Sequence, residues 1–185
     1  MTSPRVLVVS ACSKSKSPGV LLPTSDRYAG RAHIRVRDTI ERWRQARPGD
    51  DVSWSIVSAG VGLVDEHKPI PDYDATFAGL SPSAAAAHGR QLGIPEALRD
   101  RLQQADVALF VLSMTYLQAA AAPFEQPSTR IYFASPRFVD LSSGATVVPC
   151  GVDDARALGV AAREVAAVRF EQFVDERIKR ESEIA

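Results

Sequence analysis

Two hydrophobic rhythms alternate along this chain. Short apolar runs bounded by turn residues are separated by longer stretches in which apolar side chains recur every three or four positions. The runs cover residues 5–10, 52–58, 107–113, 130–134 and 145–149, and runs of this length read as strands. The first and third are nearly continuous in apolar residues, as strands covered on both faces are, which predicts a central place in a parallel sheet. The second alternates and is expected nearer an edge. Between the strands, residues 32–46 carry Val36, Ile40 and Trp43 on one helical stripe, with Arg and Glu elsewhere. Ser81-Pro82 couples an N-cap to a proline at the first helical position. Gly93 stops that helix, and Pro95 opens another that runs to Ala105. Residues 114–122 predict a short Ala-rich helix, ended by Pro123. The last helix opens near Asp153-Asp154, acids suited to the positive helix end, with an early break at Gly159. It carries Val165, Val168, Phe173, Val174 and Ile178 inward, and the polar tail 180–185 is expected to fray.

Strands alternating with helices predict an α/β fold over residues 1–185. The expected form is a single three-layer domain with a mostly parallel, roughly five-stranded Rossmann-like sheet. The longest stretch with no predicted element runs from Gly60 to Leu80. So long an irregular connection inside a compact domain is often a functional loop.

Charge adds one qualification. The 22 basic and 22 acidic residues cancel. The first fifty residues, however, hold ten Lys or Arg against four acids, a local net of +6. That segment could meet phosphate, including that of a nucleic acid, or could be a helix face balanced by the acidic C-terminal helix. Two cysteines lie far apart, and the chain opens into a strand with no apolar leader before it. No apolar run approaches the ~18 residues of a membrane span. A cytoplasmic chain with reduced thiols and no membrane partner is the expectation. Three scattered histidines and two distant cysteines give no metal-ligand spacing, and no cofactor is expected.

The candidate chemistry gathers where strands end. After the first strand come Ser10, Cys12, Ser13, Lys14 and Lys16. Open α/β sheets hold ligands at that end of their strands. The glycines of a P-loop or a dinucleotide fingerprint are missing, yet hydroxyls, backbone N–H groups and a Lys can still hold a phosphate or carboxylate. Cys12 is a candidate nucleophile beside lysines; the alternative is a small buried Cys under the sheet. After the second strand, Ser58, Gly60 and Gly62 allow a tight turn and close backbone approach to a ligand. Further on, Asp72, Tyr73 and Asp74 offer two carboxylates and a phenol for acid–base work, or form a solvated turn. Ser113 and Tyr116 end the third strand, and Cys150 follows the fifth, so a parallel sheet turns both thiols toward one end. Tyr28 and His33 lie where a loop enters the first long helix, and a His there can contact an anion or act as a base. His67 and His88 are expected at the surface.

The order of these pieces resembles a small bacterial and phage family, DUF6884. The residues that carry the resemblance are Cys12-Ser13-Lys14-Ser15-Lys16, Tyr28-Ala29-Gly30, Ser58 to Val64, Pro69 to Asp74, and Ser113 to Leu117. More distantly the layout is similar to the catalytic domain of archaeosine synthase, although Ala11 stands where that family has Pro, and Ser17-Pro18 follow Lys16. The latter resemblance implies that Cys12, Ser13, Lys16, His33 and the Gly60–Asp74 loop surround a modified deazapurine base and an amine.

The leading expectation is therefore an enzyme acting on a nucleobase, nucleoside or nucleotide, among them a deazapurine modified by amine addition. Cys12 attacks or polarises an electrophilic carbon, Lys16 and Ser13 hold an anionic group, and Tyr73 and Asp74 handle the proton or the amine. One alternative is an N-glycoside hydrolase, with Asp72 or Asp74 supporting oxocarbenium-like charge. The other is a non-catalytic nucleotide or nucleic-acid binding module that uses the basic N-terminal third.

Overall fold

A computed structural model describes residues 3–141 and 144–182. Its centre is a six-stranded sheet built from β1 (Arg5–Ala11), β3 (Asp51–Ser58), β4 (Gly62–Asp65), β6 (Val107–Val111), β7 (Thr129–Ala134) and β8 (Thr146–Pro149). They lie in the order β4-β3-β1-β6-β7-β8. All pairings are parallel except β3 with β4. Each of the five predicted strands is present. β1 and β6 are adjacent and central, as their unbroken apolar character requires: Val6, Leu7, Val8 and Val9 of β1 are all buried, as are Leu109 and Phe110 of β6. The sixth strand, β4, lies inside the Gly60–Leu80 segment that showed no element in the sequence. It is four residues long and pairs back antiparallel along Ser55 to Ser58. A second, two-stranded sheet pairs β2 (Leu21–Pro23) with β5 (Pro69–Pro71).

Helices flank the sheet. α2 (Arg31–Ala46) buries the predicted stripe Val36, Ile40 and Trp43 and packs on α7 (Val165–Ser182). α3 (Pro82–Gln91) and α4 (Ile94–Gln103) follow one another, and α3 packs on α5 (Met114–Ala119). Ser81 caps α3 by accepting the Ala84 N–H at 3.2 Å, and Gly93 turns the chain between α3 and α4 with a left-handed φ of +65°. α6 (Val152–Leu158) ends at Gly159, and α7 opens only at Val165, after a 3-10 turn over Ala162–Glu164. α1 (Thr24–Arg27) is a single turn whose Arg27 is fully buried. The Arg27 guanidinium donates to the carbonyls of Ser17, Gly19 and Ile70, which ties the β2–β5 ribbon to the loop before it. Of the tail expected to fray, residues 180–182 belong to α7 and 183–185 lie outside the described residues. Among the described residues no helix is long and apolar enough to cross a membrane.

Counted along the chain, the parallel strands stand in the order 2-1-3-4-5. The chain first winds from β1 to β3, then returns to build β6, β7 and β8 on the other side. The turning point lies between β1 and β6. Connections leave those two strands in opposite directions there, which opens a crevice at their carboxyl ends.

Candidate functional site

That crevice is a cleft of about 810 Å³. Six segments border it: residues 10–15 at the end of β1, 29–33 at the start of α2, Thr76 and Ala78 from the loop before α3, 111–116 at the end of β6, 133–135 at the end of β7, and Ala162, Arg163, Ala166 and Ala167 at the start of α7, with Cys150 added from the end of β8. Val36, Val111, Leu112, Met114 and Phe133 give it apolar walls, while Ser13, Ser15, Ser113, Thr115 and Ser135 bring hydroxyls. Among the described lining residues there is no carboxylate.

Cys12 is on this wall. Its own N–H donates to the Val57 carbonyl, extending the β1–β3 ladder by one residue and fixing the side chain at the strand end. The residue is 9% exposed. Its Sγ lies 3.1 Å from the Tyr116 hydroxyl, which also donates to the Cys12 carbonyl at 3.3 Å. Burial, reinforced by the neighbouring Cys12 sulfur, pushes the Tyr116 phenol well above its ordinary range. It therefore stays protonated, and with its own proton on the Cys12 carbonyl it can accept that of the Cys12 thiol. Both cysteines are free thiols. Burial, with the Asp154 carboxylate nearby, pushes Cys150 up to about 12.

Behind Cys12 lies a chain of hydroxyls. Tyr73 Oη is 2.6 Å from Ser58 Oγ and 2.7 Å from Tyr28 Oη. Ser58 Oγ in turn accepts the N–H groups of Gly60 and Val61, both at 3.2 Å. Burial, with the field of Cys12, raises the Tyr28 phenol to about 12 and raises Tyr73 further. A Cβ on Gly60 would meet the Tyr73 ring at 2.2 Å, so this glycine is the seat of that ring. Gly62, at φ +85°, turns into β4. Lys16 is bridged to Tyr28 through the backbone, and its ammonium rests 4.4 Å from the centre of the Tyr73 ring.

His33 is 3% exposed and borders the cleft. Its Nε2 lies 2.9 Å from the Ser25 carbonyl, and its Nδ1 has no hydrogen-bond partner. Burial lowers its pKa to about 4, so at neutral pH the ring is uncharged. With Nε2–H donating to Ser25, Nδ1 is left as an acceptor. Ser10 is also buried, and its Oγ accepts the Trp54 indole N–H at 2.9 Å. Ser13 binds the loop to the helix: its Oγ donates to the Ser15 carbonyl at 2.6 Å and accepts the Gly30 N–H at 3.0 Å.

The structure thus brings Ser10, Cys12, Ser13, Lys14, His33, Ser113 and Tyr116 to one cleft. Tyr28, Ser58, Gly60 and Tyr73 form the layer behind it, and Lys16 covers that layer rather than the cleft. Gly62 contacts neither, since its neighbour is the Leu92 carbonyl. Asp72 and Asp74 are exposed and border no part of the cleft; Asp72 accepts the Tyr73 N–H, as a turn acid does. His67 is exposed as expected, but His88 is not a solvated surface residue: its Nε2 lies 2.8 Å from the Ala59 carbonyl, with Phe77 edge-on to the ring. Arg31, Arg163, Thr115 and Ser135 border the cleft without having been singled out in the sequence. Arg31 carried one signal, its place beside Gly30. Arg163 carried none, because only the topology brings the approach to α7 beside the end of β1.

Among the described residues no cluster of three or more His, Cys, Asp or Glu is arranged to hold a metal ion. No family model matches the chain, and no curated protein matches it.

Proposed function

We propose that this protein is an enzyme acting on a nucleobase, nucleoside or nucleotide, with Cys12 as its nucleophile. One observation carries the reading: the Cys12 sulfur lies at the topological switch point of the sheet, on the wall of an 810 Å³ cleft, 3.1 Å from a buried phenol. A flat base suits walls made of Val111, Leu112, Met114 and Phe133, with hydroxyls from Ser13, Thr115 and Ser135 to meet its polar edge. As sulfur bonds to an electrophilic carbon, the adjoining ring or nitrile nitrogen gains electron density. The Tyr116 phenol beside the sulfur is proposed to supply a hydrogen bond there, and the thiol proton ends on that nitrogen. The motif order shared with the DUF6884 and archaeosine synthase families supports a deazapurine nitrile as the electrophile. Addition of the thiol gives a thioimidate, and an incoming amine releases the thiol and leaves an amidine.

Tyr73 is a positioning residue in this scheme, acting through Ser58 and Tyr28. N-glycoside hydrolysis needs a carboxylate beside the anomeric carbon, and the absence of any Asp or Glu among the described lining residues favours thiol chemistry instead. The test is incubation with nucleosides, nucleotides and cyano-deazapurines, with and without primary amines, followed by mass spectrometry of protein and products. A covalent adduct on the Cys12 peptide, lost in a folded Cys12→Ala variant together with turnover, is the expected result. Base release that persists in Cys12→Ala would overturn the thiol mechanism.

A further inference from the structure

We infer that the rim of this cleft is a phosphomonoester subsite, so that the substrate is a mononucleotide rather than a free base or nucleoside; the inference rests on the nucleobase reading of the cleft. Two cations border the cleft, Lys14 from the β1 loop and Arg163 from the turn before α7. Both are exposed, and neither forms an ion pair among the described residues. A third, Arg31, lies 3.6 Å from the buried carboxylate of Glu164, so its charge is largely spent within the protein. With no acid in the described lining, the rim holds two uncompensated positive charges. A phosphomonoester near neutral pH carries about −1.5 to −2. A carboxylate would leave one cation unmatched.

The backbone agrees with the side chains. α2 runs sixteen residues from Arg31, and its first turn opens on the cleft. No side chain caps it, and its first turn holds no acid. Helix starts of this length with free N–H groups favour anions. Gly30 permits the arrangement, because a Cβ there would stand 2.5 Å from the Ser13 Cβ and push the lysine-bearing loop away from the helix. Beside this helix start, His33 borders the cleft, 3% exposed, with Nδ1 buried and unpartnered.

Calorimetric titration of the full chain with the four nucleoside 5′-monophosphates, the four nucleosides, ribose 5-phosphate and a dephosphorylated single-stranded oligonucleotide tests this. At least one monophosphate should bind tenfold or more tightly than its nucleoside. That advantage should vanish in Lys14→Ala/Arg163→Ala and be largely kept in Lys14→Arg, with unfolding curves showing that each variant is folded. If a nucleoside binds as tightly as its monophosphate, or the double variant leaves the advantage intact, the subsite is overturned while the nucleobase reading stands. Ribose 5-phosphate binding as tightly as every mononucleotide supports the subsite and defeats the nucleobase reading. The oligonucleotide matching the monophosphate overturns the phosphomonoester class, and silence from every probe overturns both readings.

Discussion

Tyr73 shows how much a single side chain carries here. Its hydroxyl is shared between Ser58 and Tyr28, its ring face carries the Lys16 ammonium, and its ring edge fills the space above Gly60. Gly60→Ala inserts a methyl 2.2 Å from that ring. Overpacking of this kind costs roughly 1–3 kcal/mol. Urea unfolding should show that loss in the natural background and a much smaller one in Tyr73→Ala, where the obstacle is gone. Equal losses in the two backgrounds would mean that the ring is not the obstacle. His33 gives the second prediction at this scale. Its folded pKa of about 4 lies below the ordinary histidine value. Between roughly pH 6.5 and 4 the unfolded chain binds a proton that the folded one refuses, so stability is complete above that window and falls as pH drops through it. The fall is on the order of 3 kcal/mol. His33→Gln, which can still donate to Ser25, should flatten the stability profile between pH 7 and 4. A profile as steep as before would assign the slope to other groups. Neither feature was legible in the sequence. Tyr73 and Gly60 are thirteen positions apart, and His33 reads as a helix-start residue until Trp54 and Tyr28 are seen to enclose its ring.

At the scale of elements, the runs that announced themselves were the ones buried on both faces. β1 and β6 are nearly continuous in apolar residues because helices cover each side, and that signal needs no tertiary information. β4 and β5 are four and three residues long, too short for a period to show, and they exist because β3 and β2 offer them an edge. Two glycines, Gly89 inside α3 and Gly93 just after it, separate local from tertiary causes. Gly93 ends the helix at φ +65° with no atom near its missing Cβ. Gly93→Ala therefore costs only the left-handed backbone penalty, about 1–2 kcal/mol. Gly89 lies inside the helix, where alanine is favoured by about 1 kcal/mol. Yet a Cβ at Gly89 would stand 1.9 Å from the Ala119 carbonyl oxygen. α3 and α5 touch backbone to backbone there, and neither can yield without moving an element. Gly89→Ala should thus reduce stability by roughly 2–3 kcal/mol despite its better propensity. A neutral or stabilising result would mean that α5 shifts freely, which would also move Tyr116 away from Cys12.

Across the whole molecule, the basic first third is spent on holding the fold together. Arg35 and Arg42 pair with Glu171, and Arg42 also with Asp175, which joins α2 to the acidic face of α7. Arg44 meets Glu66 at 2.5 Å, Arg47 meets Asp50, Arg37 meets Asp26 and Asp38, and Arg5 meets Asp106. Arg27 is buried against carbonyls, and Lys16 faces the Tyr73 ring. Of the ten cations in the first fifty residues, Lys14 is left without an ion pair among the described residues, and it borders the cleft together with Arg163. The charge asymmetry was plain in the sequence; its cancellation was only partly so, because Arg37 and Arg47 pair with near neighbours whereas the partners of Arg35 and Arg42 lie more than a hundred residues away on α7. A surface that tracks a nucleic-acid strand neutralises many phosphates, and its affinity then falls steeply with salt, by about 0.7 in log K per log salt for each single-strand phosphate contacted. For a strand held at the cleft, the two cations there that are unpaired among the described residues, Lys14 and Arg163, limit that slope to about 1.4 in magnitude. Single-strand binding measured from 50 to 300 mM salt should therefore be weak and give a slope no steeper than this. Restoring free cations by Glu171→Gln should steepen it, while leaving any mononucleotide affinity measured for the natural protein unchanged. A slope of 3 or more in the natural protein would mean that the α2–α7 ion pairs open to phosphate, and that the basic third is a binding surface after all.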